Sequence, residues 1–113
     1  MKGDVAYLHH IAECIRRIEE DVAGGREKFL ASHTLQDAVL RNLQTMSEST
    51  ERLSDDLKAT HIEIEWKRIA AFRNLLVHNY LGIDLEQVWD ITQGDLRELK
   101  QAVAAMVAKL SQK

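Results

Sequence analysis

Residues 4–23, DVAYLHHIAECIRRIEEDVA, are the most regularly patterned stretch of the chain. Apolar residues recur there at steps of three and four, the spacing that places side chains on one face of an α-helix. These residues are Val5, Leu8, Ile11, Ile15, Ile18 and Val22. Asp4 is a suitable N-cap before them, and Gly24-Gly25 can end the helix in backbone conformations that other residues avoid. The pattern predicts an amphipathic helix over residues 4–23.

The same period returns in later parts of the chain. It predicts a short helical turn around Glu27–Leu30, long helices over residues 34–58 and 64–81, a short helix capped by Asp84, and a last helix carrying Leu96, Leu99, Val103, Met106 and Leu110. Thr34 and Asp37 resemble a capping box in which Asp replaces the usual Glu. Gly82 is the predicted stop of the third long helix, and residues 92–95 offer a cap for the last one.

Four long helices joined by short connections predict an all-α fold. We expect an antiparallel four-helix bundle with one or two additional short helices. The 113 residues suit one domain over residues 1–113, because compact domains usually hold about 100–150 residues. The absence of proline and the presence of only 5 glycines argue against an all-β fold, whose many turns use both residues.

Charge and hydropathy restrict the kinds of partner. The formal net charge is -3, so the overall field does not attract nucleic acid, although a local basic strip could. The single cysteine, Cys14, cannot form an internal disulfide, and we expect it to be a buried thiol without a redox role. No apolar run approaches the roughly 20 residues that cross a bilayer, and no secretory signal precedes the first helix. We therefore expect a soluble, cytoplasmic protein that does not bind membranes.

The residues best suited to chemistry lie in residues 72–80, FRNLLVHNY. On a helix, Asn74 and His78 are four apart and face the same way, and Arg73 and Tyr80 are seven apart on an adjoining strip. An arginine fork can bind a phosphate, a histidine can move a proton at a ribose hydroxyl, and an asparagine amide can orient either. These groups would suffice for RNA cleavage without a metal, because the 2′-hydroxyl already lies beside the phosphate. The alternative is a chance pairing of Arg and His on a helix flank, with the tyrosine packed in the core.

The other histidines have weaker patterns. His9, His10 and His33 are expected to be solvated or at the edge of the core. His61 with Glu63 and Glu65 could suggest a metal site, but spacing by two does not place ligands on one helical face, and no second cluster completes the coordination. We therefore expect neither a metal nor a cofactor.

A local cluster of positive charge precedes the arginine. Lys67 and Arg68, together with Arg73, would give an otherwise acidic protein the positive strip that RNA needs. Lys67 and Arg68 are thus candidate RNA-binding residues.

The pattern R-x-x-x-x-H-x-Y over Arg73–Tyr80 also resembles a known family. It is preceded by Ile64-Glu65-Trp66 and followed by G-x-D-x-x-x-V-W over Gly82–Trp89, as in HepT, the HEPN-domain ribonuclease toxins of HepT/MntA toxin-antitoxin pairs. Further similar positions are Asp37–Leu43, Glu48 and Arg52–Ser54 in the second long helix, and Asp4, Tyr7, Leu8 and Ile11 in the first. The resemblance extends over nearly the whole chain.

This resemblance implies roles for individual residues. Arg73 and His78 would carry metal-independent endoribonuclease activity, with Asn74 as the polar residue after the arginine. Tyr80 would be adenylylated by a partner nucleotidyltransferase antitoxin of the MntA type, which would silence the enzyme. Two protomers would pair as a homodimer with a HEPN-like fold, so that both motifs line one cleft.

The chain departs from the family pattern at three positions. It has Asn79 where members often have Asp, Ser47 where they often have Gly, and Glu65 where Pro is common. The first change removes a negative charge beside His78, so the basicity of this histidine could differ from that in the family.

Three hypotheses remain open at this point. The first is a toxin-type endoribonuclease that uses Arg73 and His78. The second is a non-catalytic helical partner or substrate-binding subunit that presents Tyr80 or a nucleotide to a nucleotidyltransferase. The third is a structural four-helix dimer whose polar strip only lines an interface. A complete Arg and His pair on one helix favours the nuclease.

Overall fold

The computed structural model describes residues 3–78 and 82–111, with residues 74–78 described by their backbone alone. The helices are α1 (Asp4–Val22), α2 (Arg26–Ala31), α3 (His33–Glu51), α4 (Asp55–Lys58), α5 (Trp66–His78), α6 (Leu85–Gln93) and α7 (Asp95–Leu110). The described residues contain no β-strand, so the all-α prediction is confirmed. Three of the helices within these described residues are short, one more than the upper number expected.

The long helices pack side by side. α1 lies between α3 and α7, and α5 packs on the other side of α3. Contacts between α1 and α3 progress in opposite directions along the two helices, because His10 meets Ser49 while Cys14 meets Thr45. Lys100 of α7 likewise reaches Glu19 near the end of α1. α1 therefore runs antiparallel to both α3 and α7, as the predicted bundle requires.

The core follows the predicted apolar stripes. Leu8, Ile11 and Ile18 of α1 are fully buried, as is Val39 of α3. Fully burying a side chain of this size stabilises the fold by roughly 1.5–3 kcal/mol. Val5, which the pattern placed on the same face, is 40% exposed. None of the helices among residues 3–78 and 82–111 is long and apolar enough to cross a membrane.

The predicted helix over residues 34–58 is wrong at its C-terminal end. α3 ends at Glu51, and Ser54 begins the separate helix α4 by accepting a hydrogen bond from the backbone N–H of Leu57. The Asp4 carboxylate accepts hydrogen bonds from both the backbone N–H and the hydroxyl of Ser54, each at 2.8 Å. The apolar period continues across the corner, since Leu53 and Leu57 are still buried. A side-chain cap and a long-range polar contact thus coincide at Ser54, where the predicted helix breaks.

The same contact corrects the prediction for Asp4. α1 begins at Asp4 itself, with Gly3 at the N-cap position and no side-chain cap. Asp4 is only 3% exposed and bonds across to α4 instead of capping its own helix.

Other helix ends differ in part from their predictions. The Thr34–Asp37 capping box is wrong, because α3 begins one residue earlier and the hydroxyl of Ser32 accepts from the N–H of Leu35. Asp84 is confirmed as a cap, since its carboxylate accepts from the N–H groups of two residues in the first turn of α6. Gly94, within the expected residues 92–95, occupies the N-cap of α7, without a side-chain bond.

Of the two glycines after α1, Gly25 confirms the predicted role. Gly25 has φ of 101°, in the left-handed region that side chains with a Cβ rarely adopt. It also occupies the N-cap position of α2, so the chain turns sharply between α1 and α2.

The third long helix begins later than predicted. α5 starts at Trp66, whose indole N–H donates to the carbonyls of Lys58 and His61 at 3.1 and 3.2 Å. This anchors the start of α5 to the end of α4. The helix is described as far as His78. Residues 79–81 lie outside the described residues, so the predicted stop of the helix at Gly82 stays a prediction.

Candidate functional site

Arg73 lies on the seam between α5 and α3. Ile69 and Phe72 of α5 are buried, and Arg73 follows them with 48% of its side chain exposed. Its Nη1 lies 3.5 Å from Oε2 of Glu51, and its Nε lies 3.8 Å from Oε1 of Glu48. A cationic fork is thus placed at the surface between two carboxylates of the neighbouring helix.

The carboxylates belong to a polar row on α3. Gln44, Glu48 and Glu51 are spaced by four and three residues, so they share one face of the helix. The amide of Gln44 donates to Oε1 of Glu48 at 3.5 Å. In the sequence, Glu48 stands out only as a point of family resemblance, and Glu51 has no distinguishing pattern. Their spacing was visible in the sequence, but the packing of α3 against α5 was needed to connect them to Arg73.

The remaining residues of the motif are described less fully. Asn74 and His78 fall within α5, so the helical spacing expected between these two positions is present in the backbone. Their side chains, and the whole of Tyr80, lie outside the described residues. Convergence of the four functional groups therefore remains a prediction.

Arg68 is paired with a different helix. Its Nε and Nη2 donate to the two carboxylate oxygens of Asp95, each at 3.1 Å, and its guanidinium lies 5.7 Å from the centre of the Phe72 ring. The hydrogen bond to Asp95 raises the pKa of Arg68 above its usual range. Lys67 is exposed. Arg68 is thus held by α7, whereas Arg73 is held by α3. The role of Lys67 and Arg68 in RNA binding stays a prediction.

His61 pairs with Glu63 as neighbours in the loop before α5. Their closest atoms are 2.9 Å apart, and the hydrogen bond from His61 lowers the pKa of the Glu63 carboxyl. Within the described part of the chain, no three His, Cys, Asp or Glu side chains are grouped in a way that could hold a metal ion.

A polar chain between α1 and α3 was not predicted. Nδ1 of His10 lies 2.6 Å from the hydroxyl of Ser49, and its Nε2 lies 3.5 Å from Sγ of Cys14, which is 3.5 Å from Oγ1 of Thr45. Cys14 is buried, as predicted, and burial raises the pKa of its thiol. A protonated, buried thiol is a poor nucleophile, so Cys14 here belongs to a set of contacts that joins two helices.

An apolar groove of about 480 Å³ lies between α1 and α7. Small and apolar side chains such as Ala12, Val103 and Ala104 line it, and Lys100 and Glu19 lie at its edge. Arg73 does not line this groove, so the groove is separate from the α3–α5 seam.

Comparison with known proteins gives a family for this arrangement. The family model described as ribonuclease HepT-like matches residues 11–106, which run from α1 to α7 and include Arg73 and His78. A Thermococcus cleftensis protein named "Probable ribonuclease HepT" is 37% identical over 83% of this chain and 86% of its own length. The Shewanella oneidensis protein named "mRNA nuclease HepT" is 25% identical over 88% of this chain and 92% of its own length. No solved structure matches the chain.

One relative is much longer than this chain. A Methanocaldococcus jannaschii protein named "Gamma-glutamylcyclotransferase and putative RNase" is 34% identical over 97% of this chain, which spans half of that protein's length. The matched region in each of these relatives corresponds to nearly the whole helical bundle. The chain belongs to the HepT-like ribonuclease family.

Proposed function

We propose that this chain is the toxin of a toxin–antitoxin pair and acts as a metal-independent endoribonuclease. The observation that carries the proposal is the family match over residues 11–106, together with the half-exposed Arg73 on α5 within that range. The names of the relatives describe ribonucleases, and one is named as an mRNA nuclease. RNA is thus the proposed substrate, in the cytoplasm.

The proposed reaction uses the ribose as its own nucleophile. Arg73 binds non-bridging oxygens of the phosphate and stabilises the negative charge that grows there in the transition state. His78 takes the proton from the 2′-hydroxyl or gives one to the departing 5′-oxygen, and Asn74 orients the reacting groups. The 2′-oxygen bonds to phosphorus as the bond to the 5′-oxygen breaks, which leaves a 2′,3′-cyclic phosphate and a 5′-hydroxyl.

Cleavage of total RNA in EDTA tests this proposal. The wild-type protein should produce fragments with cyclic phosphate ends, and the His78→Ala variant should produce none. His33→Ala is a matched control, because His33 is an exposed histidine at the start of α3. Cleavage that persists in His78→Ala, or that requires a divalent metal, would contradict the mechanism.

We also propose that Tyr80 is the site at which the toxin is silenced. A nucleotidyltransferase antitoxin of the MntA type would transfer AMP from ATP to the phenolic oxygen of Tyr80 and release pyrophosphate. The added phosphate and nucleoside would bring bulk and negative charge close to Arg73 in sequence and would repel RNA. Intact-mass spectrometry should show added AMP on the wild-type protein and none on Tyr80→Phe.

The same measurements separate the nuclease from a non-catalytic subunit. An unmodified protein that cleaves no RNA but binds a nucleotidyltransferase would support the second hypothesis, in which the helical bundle is a partner of that enzyme.

A further inference from the structure

We propose that Glu48 and Glu51 of α3 are positioning residues that hold Arg73 for RNA and compete with the RNA phosphate for it. This inference rests on the proposed function, because it assumes that Arg73 binds phosphate. Through these two residues, α3 affects both the affinity for RNA and the rate of its cleavage.

The distances describe a loose clamp. The two contacts from Arg73 measure 3.5 and 3.8 Å, longer than the 2.7–3.2 Å of an ordinary N–H···O hydrogen bond. Arg68 is held differently, with two hydrogen bonds of 3.1 Å to one carboxylate. The looser contacts orient the Arg73 fork and leave its N–H groups able to turn to a stronger acceptor.

Exposure makes exchange of partners feasible. The side chains of Arg73, Glu48 and Glu51 are 48%, 42% and 41% exposed. Ion pairs between exposed side chains contribute little to stability, so a phosphate can replace a carboxylate at small cost. The contacts also join two helices, so the packing of α5 on α3 fixes where the fork stands when RNA arrives.

The charges oppose RNA while they orient the arginine. Two carboxylates and one guanidinium give a local charge of -1, and a phosphate that enters between them meets like charges. Removing both carboxylate charges without changing side-chain shape should therefore have two opposite effects. RNA should bind more tightly, and cleavage of the bound RNA should slow because the fork is no longer held.

The test is the double variant Glu48→Gln/Glu51→Gln. Its affinity for a mixed-sequence 2′-O-methyl oligonucleotide, which lacks the nucleophilic hydroxyl, should rise roughly threefold. Its kcat for RNA should fall by about an order of magnitude. The plot of log affinity against log salt should become steeper by about 0.7, as expected when one more free cation contacts single-stranded nucleic acid.

A matched control is available on α1. Arg16 is also held by two carboxylates, Glu13 and Glu20, within its own helix. Glu13→Gln/Glu20→Gln changes the net charge by the same amount and should leave kcat near the wild-type value, with a smaller effect on affinity and salt slope. Thermal unfolding of both variants verifies that the bundle is intact.

The outcomes separate the inference from the function on which it rests. If the wild type cleaves RNA through His78 but the α3 variant matches the α1 control, the inference is overturned and the nuclease stands. A fall in kcat together with weaker RNA binding also overturns it, because competition with phosphate predicts tighter binding. If the wild type neither binds nor cleaves RNA, both proposals fail.

Discussion

The sequence predicts the helix that carries Arg73 but not the side chains that contact it. The place of Arg73 on a helix with His78 follows from local spacing, and the helix is present as predicted. Its two carboxylate neighbours come from residues 22 and 25 positions earlier, and no local pattern states that α3 and α5 are adjacent. Pairing across helices is decided by tertiary packing, which is why Glu48 and Glu51 were missed.

Substituting Arg73 by lysine tests the geometry of the fork. Arg73→Lys keeps the positive charge but loses the planar, two-pronged arrangement of donors that matches a phosphate. We expect kcat for RNA cleavage to fall by roughly 10-fold to 100-fold while affinity changes little. Kinetics alongside oligonucleotide binding measure the two effects. Arg97→Lys on α7, an exposed arginine bonded to Gln93, should behave like the wild type; equal activity of both variants would refute a fork-specific role.

Cys14 makes stability depend on pH at the alkaline end. Burial raises the pKa of the folded thiol, so the folded state prefers the protonated form more than the unfolded state does. The corresponding stability is fully present below the unfolded pKa of about 8.5 and is lost as pH rises through the higher folded pKa. Urea unfolding at increasing pH should show this loss, and Cys14→Ser should remove it. An identical pH dependence in the variant would show that other groups are responsible.

At the scale of elements, local pattern predicted the long helices well and their ends less well. The period of the apolar residues is a property of the helix itself, so α1, α3, α5 and α7 were foreseeable. The break between α3 and α4 was missed because the apolar period continues across it, although Ser54 followed by Asp55 and Asp56 is a local signal for a helix start. The cap of α3 was missed for a simpler reason: Ser32 and Thr34 are both good caps, and the helix uses the earlier one.

The start of α3 can be tested with two single substitutions. Ser32→Ala removes the hydroxyl that accepts from the N–H of Leu35 and should lower the free energy of unfolding by about 1 kcal/mol. Thr34→Ala, at an exposed position inside the helix, should change it by less than about 0.5 kcal/mol. Urea denaturation gives both values. The reverse ranking would mean that the capping box predicted from sequence operates in solution.

At the scale of the whole molecule, α5 contacts two other helices, α3 by packing and α7 through the ion pair of Arg68 with Asp95. α5 packs on α3, while α1 is enclosed between α3 and α7. The family resemblance implies a homodimer in which the motifs of two copies line one cleft. Fold class and antiparallel order were predictable because short connections leave long helices few other ways to pack. No local sequence pattern predicts how two protomers associate.

We expect the protein to be a homodimer in solution. Two protomers would bring two motifs, and therefore twice the number of cations, to a single RNA-binding cleft. Sedimentation equilibrium should give twice the chain mass of 12.9 kDa at concentrations that support RNA cleavage. A mass of one chain under those conditions would contradict the shared cleft.

The hydrogen bonds between Asp4 and Ser54 also tie the first residue of α1 to the corner between α3 and α4. They connect residues 50 positions apart, and the backbone N–H of Ser54 is the donor of one of them. Exchange of that amide proton with deuterium should therefore require the N-terminus of α1 to separate from the α3–α4 corner, because the proton is otherwise held by a buried carboxylate. In Asp4→Ala the Ser54 amide should exchange faster, even though the substitution lies in a different helix. The exchange rate of the Ser54 amide proton thereby measures how often the first turn of α1 separates from the rest of the bundle.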